Sequence, residues 1–255
     1  MERITSRSNP LLGHVKKLLK DRSYRREMGE FVCDGVKLLE EALRWGATIT
    51  ALVCTEGLAL SALPDTGRLV QVPAGVMASI SPMKAPQGVL FTCKLPDLAP
   101  PERLDGRTYL VLDGLQDPGN VGTIWRSADA FGVAGLLLTG HSADPYSWKA
   151  VRASMGAAFR LPAWEVTPEE LQKLCRASNL PLWGTALQAD TADLRQLGEG
   201  RCALAIGSEG SGLSSEVLAL CDGTVKIPME PQCESLNAAM AATVALWERY
   251  RCLSC

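Results

Sequence analysis

The second half of the chain sets the tightest limit on its fold. Short apolar runs at residues 109–112, 135–138, 180–185, 203–206 and 224–227 alternate there with stretches of helical character, at 122–131, from 214 and from 236. A strand that is apolar on both faces must be covered on both sides, so this rhythm predicts an α/β fold with a mainly parallel sheet flanked by helices. Sheets of that kind bind ligands where loops leave the carboxyl ends of their strands. Three loops rich in glycine or asparagine stand at such places: around Pro118-Gly119-Asn120, at 206–213 (Ile-Gly-Ser-Glu-Gly-Ser-Gly-Leu) and at 234–237 (Glu-Ser-Leu-Asn).

The first half reads differently. Residues 9–22 place Leu11, Leu12, Val15, Leu18 and Leu19 at near-helical spacing, with Lys16, Lys17 and Lys20 on other faces, which predicts an amphipathic basic helix. A strand at 31–33, a helix at 36–45 closed by Gly46 and a strand at 50–54 then make a small α/β unit. Pro96, Pro100 and Pro101 fall in a stretch with no apolar period. A linker at 96–107 is therefore expected, separating an N-terminal domain (1–95) from a C-terminal one (108–255).

A net charge of -2 excludes a protein coated in positive potential, but the distribution is uneven. Arg3, Arg7, Lys16, Lys17, Lys20, Arg22, Arg25 and Arg26 are opposed over the first 26 residues only by Glu2 and Asp21, a basic arm suited to phosphates. A composition 47% hydrophobic and 21% charged excludes a disordered or fibrous chain. The N-terminus stays polar through Asn9, without the apolar core of a secretion signal, and the apolar stretch at 238–247 is too short to span a bilayer. A cytoplasmic, membrane-free protein is expected. Its nine cysteines then read as reduced core residues. Cys252 and Cys255 form one C-x-x-C pair with no second pair or histidine cluster beside it, so no metal site is expected. His14 and His141 lack the context of a nucleophilic triad and receive no role.

Each loop admits two readings. Pro118-Gly119-Asn120 is a turn whose Asn120 caps the following helix, and Arg126 on that helix is either a solvated surface cation or a planar fork that grips a phosphate or carboxylate. The glycines of the second loop either ease a strand-to-helix connection or let backbone amides approach a ligand, and Glu209 among them needs a partner. In the third loop Ser235 stands as N-cap and Asn237 one step inside a helix that is apolar on nearly every side, buried either within one subunit or against a second copy. Between the first two loops, Lys149 and Arg152 share a helical face near Trp148, either solvated or turned toward nucleic acid.

With these loops in this order, the chain resembles the SpoU-type (TrmH-like) RNA ribose methyltransferases of the SPOUT superfamily. Asn120 with Arg126 matches the first motif, residues 207–213 the second and Ser235-Leu236-Asn237 the third, over about residues 109–251. Residues 4–10 and 31–43 look like the substrate-binding domain often attached to that family, with Asp34 where glutamate is more usual. In the third motif Ala238-Ala239-Met240 replaces a more common Val-Ser-Val. The resemblance implies a deep trefoil knot, a homodimer formed through the knotted domain, and S-adenosylmethionine as cofactor. Backbone around Gly207, Ser208, Glu209, Gly210, Ile227, Met229, Ser235 and Leu236 would hold that cofactor. It also implies methyl transfer to a ribose 2'-hydroxyl of a structured RNA, ribosomal or transfer, with Arg126, Asn120, Glu209, Ser235 and Asn237 as the catalytic set. Arg7, Lys16, Lys17, Arg25, Arg26, Lys149 and Arg152 are the expected RNA contacts. Two rivals stand beside this reading: a catalytically inactive RNA-binding or ribosome-assembly factor of the same fold, and a dinucleotide oxidoreductase, which the missing G-x-G-x-x-G disfavours.

Overall fold

The structure, a computed structural model, describes residues 2–65, 67–187, 191–230, 232–233 and 235–254. Glu234 and Cys255, which figure in the sequence expectations, lie outside the described residues. The chain separates into two compact units, Met1–Asp97 with Tyr146–Phe159, and Leu98–Pro145 with Arg160–Cys255. The first unit therefore includes a segment from early in the second half of the sequence.

The first unit is built on β1 (Glu2–Arg3), α1 (Pro10–Lys20), α2 (Arg22–Met28), β2 (Glu30–Asp34), α3 (Val36–Arg44), β3 (Ile49–Thr55), β4 (Arg68–Val72), α4 (Ala74–Ile80) and β5 (Val89–Lys94). Its five strands lie in the order β1-β4-β3-β5-β2, parallel across β1, β4 and β3 and antiparallel at β5. Residues 9–22 do not form one helix. Asn9 opens α1 by accepting from the Leu11 N–H, and α1 buries Leu12, Val15 and Leu18. At Asp21 the backbone turns extended (φ -115°, ψ 113°), and the carboxylate accepts from the Tyr24 N–H at 3.0 Å to start α2. A capping carboxylate thus outcompetes helix continuation.

The second unit holds β6 (Thr108–Asp113), α5 (Pro118–Ala130), β7 (Leu136–Thr139), β8 (Ala163–Glu165), α7 (Pro168–Ser178), β9 (Leu182–Thr185), β10 (Ala192–Asp193), β11 (Cys202–Ile206), α8 (Ser215–Leu220), β12 (Gly223–Lys226) and α9 (Ala238–Ser254). Helix α6 (Trp148–Ala153) lies in the segment that belongs to the first unit. The seven strands run in the order β10-β12-β9-β11-β6-β7-β8, and every described pairing is parallel. Both β6 and β11 are buried along their whole length, as strands covered on both faces must be. The proline-rich stretch ends pinned to this unit: the Leu104 N–H donates to Ser178 Oγ at 2.7 Å, and Arg201 donates to the carbonyls of Leu104 and Gly106. Among the described residues no helix is long and apolar enough to cross a membrane.

Candidate functional site

Strands β12, β9 and β11 are neighbours, so their carboxyl ends, at Lys226, Thr185 and Ile206, open onto one edge of the sheet. A cleft of about 440 Å³ lies there, within the size range of small-molecule sites. The eight residues expected to hold a cofactor, Gly207, Ser208, Glu209, Gly210, Ile227, Met229, Ser235 and Leu236, all line it. Thr185, Ala186 and Leu187 complete the wall from the end of β9. Ile206, Leu218, Val225, Ala238 and Ala241 add apolar surface. The lining is largely apolar, with the glycine-rich 207–212 loop along one wall.

The second loop makes that possible by folding back on itself. Ser208 and Gly212 exchange both backbone hydrogen bonds, each 3.0 Å. A Cβ at Gly207 would stand 2.1 Å from the Gly212 carbonyl carbon and 2.3 Å from the Leu213 nitrogen, so only glycine fits. The loop ends at Ser214, whose hydroxyl caps α8 by accepting from the Val217 N–H at 3.2 Å.

The three loops meet at Glu209. Asn120 Nδ2 donates to Glu209 Oε1, while Asn237 Nδ2 donates to Asn120 Oδ1 and to Glu209 Oε1, each at 3.3 Å. Asn120 is free for this because it does not cap α5. Asp117 does, accepting from the Gly119 N–H at 3.0 Å, and Pro118 follows it in the first helical turn. Nor is Ser235 the cap of α9. Asn237 takes that role, its Oδ1 accepting from the N–H groups of Ala239 (2.9 Å) and Met240 (3.3 Å). Only a carboxamide can cap a helix with its oxygen while its nitrogen donates to a carboxylate, so aspartate at 237 would break the junction.

Known proteins carry the same arrangement of sequence. The model of the SpoU rRNA Methylase family matches residues 107–247, and that of the MRM3-like substrate binding domain matches residues 9–90. The chain belongs to the SpoU rRNA methylase family. A 23S rRNA (uridine(2479)-2'-O)-methyltransferase of Streptomyces viridochromogenes is 35% identical, over 98% of this chain and 92% of its own length. The 23S rRNA (guanosine(2553)-2'-O)-methyltransferase RlmP of Bacillus subtilis is 28% identical over 97% of this chain and 98% of its own. An AdoMet-bound rRNA methyltransferase from Sinorhizobium meliloti superposes with a TM-score of 0.86 at 30% identity, covering 98% of this chain and 97% of that one.

Within this SpoU-family chain, Arg126 stands apart from the Glu209 junction. It is exposed on α5, and six residues turn it roughly 120° from Asn120 around the helix. Ser127, on the Asn120 side, meets Thr243 of α9 at 2.8 Å instead. Among the described residues the Arg126 guanidinium has no hydrogen-bond or ion-pair partner.

The expected RNA contacts divide into two groups. Arg7, Lys17 and Lys149 are exposed, Lys17 lying 5.4 Å above the Tyr24 ring and Lys149 5.8 Å from the Trp148 ring. Lys16 and Arg26 are half-buried. Arg25 is corrected: it is 4% exposed, with its guanidinium on the Leu18 carbonyl at 2.5 Å, because the turn between α1 and α2 folds it inward. Arg152 is half-buried against Met83 Sδ, and its charge acts on the buried Asp34 carboxyl, whose pKa is raised by burial and held back by Ser81 and Arg152.

His14, without a role in the sequence reading, joins Tyr24 Oη (2.9 Å) to Glu30 Oε2 (3.0 Å) and so ties α1, α2 and β2 together. Among the described residues no three His, Cys, Asp or Glu side chains converge as metal ligands.

Proposed function

We propose that this chain transfers a methyl group from S-adenosylmethionine to a ribose 2'-hydroxyl of a structured RNA, ribosomal or transfer. The observation that carries this is a cleft lined by the second and third motif loops, with Gly207 closed to any side chain and the first loop joined to it through the Asn120–Glu209 hydrogen bond, which Asn237 shares. Family membership and the 2'-O-methyltransferase names of close relatives support the same reading.

When bound, S-adenosylmethionine supplies an electrophilic methyl group on a sulfonium. Backbone at Gly207, Ser208, Glu209, Gly210, Ile227 and Met229, with Ser235 and Leu236, all lining the cleft, would hold it. A ribose hydroxyl is a very weak acid, so it must be placed in line and lose its proton as the new bond forms. Arg126 stays protonated and cannot take that proton. We assign its fork of donors to a phosphate beside the target ribose, with that phosphate or a neighbouring group accepting the proton. Asn120, Glu209, Ser235 and Asn237 orient the loops and the nucleotide.

The proposal extends to the finer architecture. A deep trefoil knot threads the second unit, and homodimers form through it. The outer face of α9 supports the dimer: Met240 is 64% and Trp247 53% exposed, and Trp247 stands 5.9 Å from Phe131 and 6.4 Å from Tyr250 in an open aromatic cluster. Residues 1–95 grip RNA through Arg7, Lys16, Lys17 and Arg26, while residues 108–255 perform the chemistry. A cytoplasmic location is part of the reading.

Calorimetry with S-adenosylmethionine, followed by mapping of 2'-O-methyl groups in RNA from cells with and without the gene, tests the proposal. Binding together with one or more sites lost on deletion is the expected result. Binding of NAD instead, or an unchanged methylation map, contradicts it.

A further inference from the structure

Asp113 is the last residue of β6. It is 2% exposed, and each of its carboxyl oxygens is used once. Oδ2 accepts the Ser214 N–H at 2.6 Å, and Oδ1 accepts the Thr139 hydroxyl at 2.8 Å. Ser214 is where the cofactor-lining loop returns to enter α8, and Thr139 ends the neighbouring strand β7.

The loop is thus tied twice to the segment that carries the first motif. Its tip is tied through Glu209 to Asn120, and its exit through Ser214 to Asp113. The two anchor points are seven residues apart in sequence, on the end of β6 and the first turn of α5. Among the described residues, the hydrogen bonds between the ties are internal to the loop: the Ser208–Gly212 bridge and the Ser208–Ser211 pair. An exit left free would let the loop pivot about its tip. The backbone at Gly207, Ser208 and Gly210 would then lose its fixed distance from α5, and a site loosened by about 1 Å loses much of its grip.

We infer that Asp113 is a positioning residue: it holds the exit of the 207–213 loop in register with β6, so that the cofactor cleft is formed before any ligand enters. This rests on the assignment of that cleft to S-adenosylmethionine. The hydrogen bonds, rather than charge alone, do the holding. Asparagine keeps an acceptor for the Ser214 N–H, and the Thr139 hydroxyl can reverse to accept from the new amide. Alanine keeps neither, and serine keeps one oxygen too short to reach both donors.

Titration calorimetry of the chain with S-adenosylmethionine, and separately with deproteinised total ribosomal RNA and total transfer RNA, tests this on Asp113→Ala, Asp113→Ser and Asp113→Asn. For Asp113→Ala, cofactor affinity is expected to fall by about tenfold or more, with RNA affinity unchanged. Asp113→Asn is expected to stay within about threefold of the parent and Asp113→Ser to fall between. Should Asp113→Ala not fold, the serine and asparagine chains carry the same ranking. Parental cofactor affinity in the alanine and serine chains overturns the inference, as does equal loss of cofactor and RNA binding. If the parent chain itself fails to bind S-adenosylmethionine, the assignment of the cleft fails instead.

Discussion

Asn120 and Arg126 sit on the same helix in opposite circumstances. Asn120 spends both ends of its carboxamide inside the chain, donating to Glu209 and accepting from Asn237. Arg126 is exposed, and among the described residues its guanidinium has no partner. The contrast separates what the fold completes from what it leaves open. Loops that enclose a small molecule are locked to one another before the ligand arrives, as a preorganised site requires. The cation, like the exposed lysines of the first unit, is presented outward, where a phosphate can satisfy it.

The sharpest way to break this contrast is at Arg126. Arg126→Ala is expected to lower the methyl-transfer rate by about 10²- to 10³-fold at saturating cofactor, with cofactor affinity unchanged by calorimetry. An unchanged rate would make the residue a solvated surface cation. Gly207→Ala attacks the enclosed side: with backbone at 2.1 Å from the new methyl, the loop must shift. A loss of about 10- to 100-fold in cofactor affinity is expected from that overpacking, with RNA binding retained. Equal affinity would show that the loop does not form the cofactor wall. Asn237→Asp removes a donor and sets a second carboxylate beside Glu209 Oε1, now 3.3 Å from Asn237 Nδ2. A roughly tenfold weaker cofactor affinity follows, read against Asn237→Ala to separate charge from lost capping. Lys17→Ala should have the smallest effect, with RNA affinity down a few-fold and the salt slope of log K reduced by about one. A larger loss of cofactor binding than of RNA binding in that variant would undo the division of labour between the units.

Much of the cleft was legible in the sequence because its parts are local signals. Apolar runs at 203–206 and 224–227 mark β11 and β12, and glycine at 207 marks a close backbone approach. The contribution of Thr185, Ala186 and Leu187 was not legible, since it depends on β9 lying between β11 and β12, and neighbour order in a sheet leaves no trace in the strand itself. Cap assignment failed at both motif helices for one reason. Asp117 and Asn120, or Ser235 and Asn237, are equally good cap residues by type; Asp117 caps α5 while Asn120 turns to Glu209, whereas Asn237 caps α9 with its oxygen and meets Glu209 with its nitrogen. Helix α7 was overlooked although its signal was present: Thr167-Pro168-Glu169-Glu170 forms a complete capping box, with Thr167 Oγ1 accepting from the Glu170 N–H and Glu170 Oε2 from the Thr167 N–H. Arg25 and Arg152 show the limit of counting charges. A run of cations looks uniform in sequence, yet one is turned inward by the α1–α2 corner and the other rests against Met83 near the Asp34 carboxyl.

Diffraction from crystals of the full-length chain soaked with S-adenosylmethionine tests the central claim most directly. Expected is density for the adenosine and methionine moieties among residues 206–210, 227–229 and 235–236, with the side chain of Asn120 still on Glu209. Density for the cofactor bound anywhere else on the molecule, with that cleft unchanged, would contradict it.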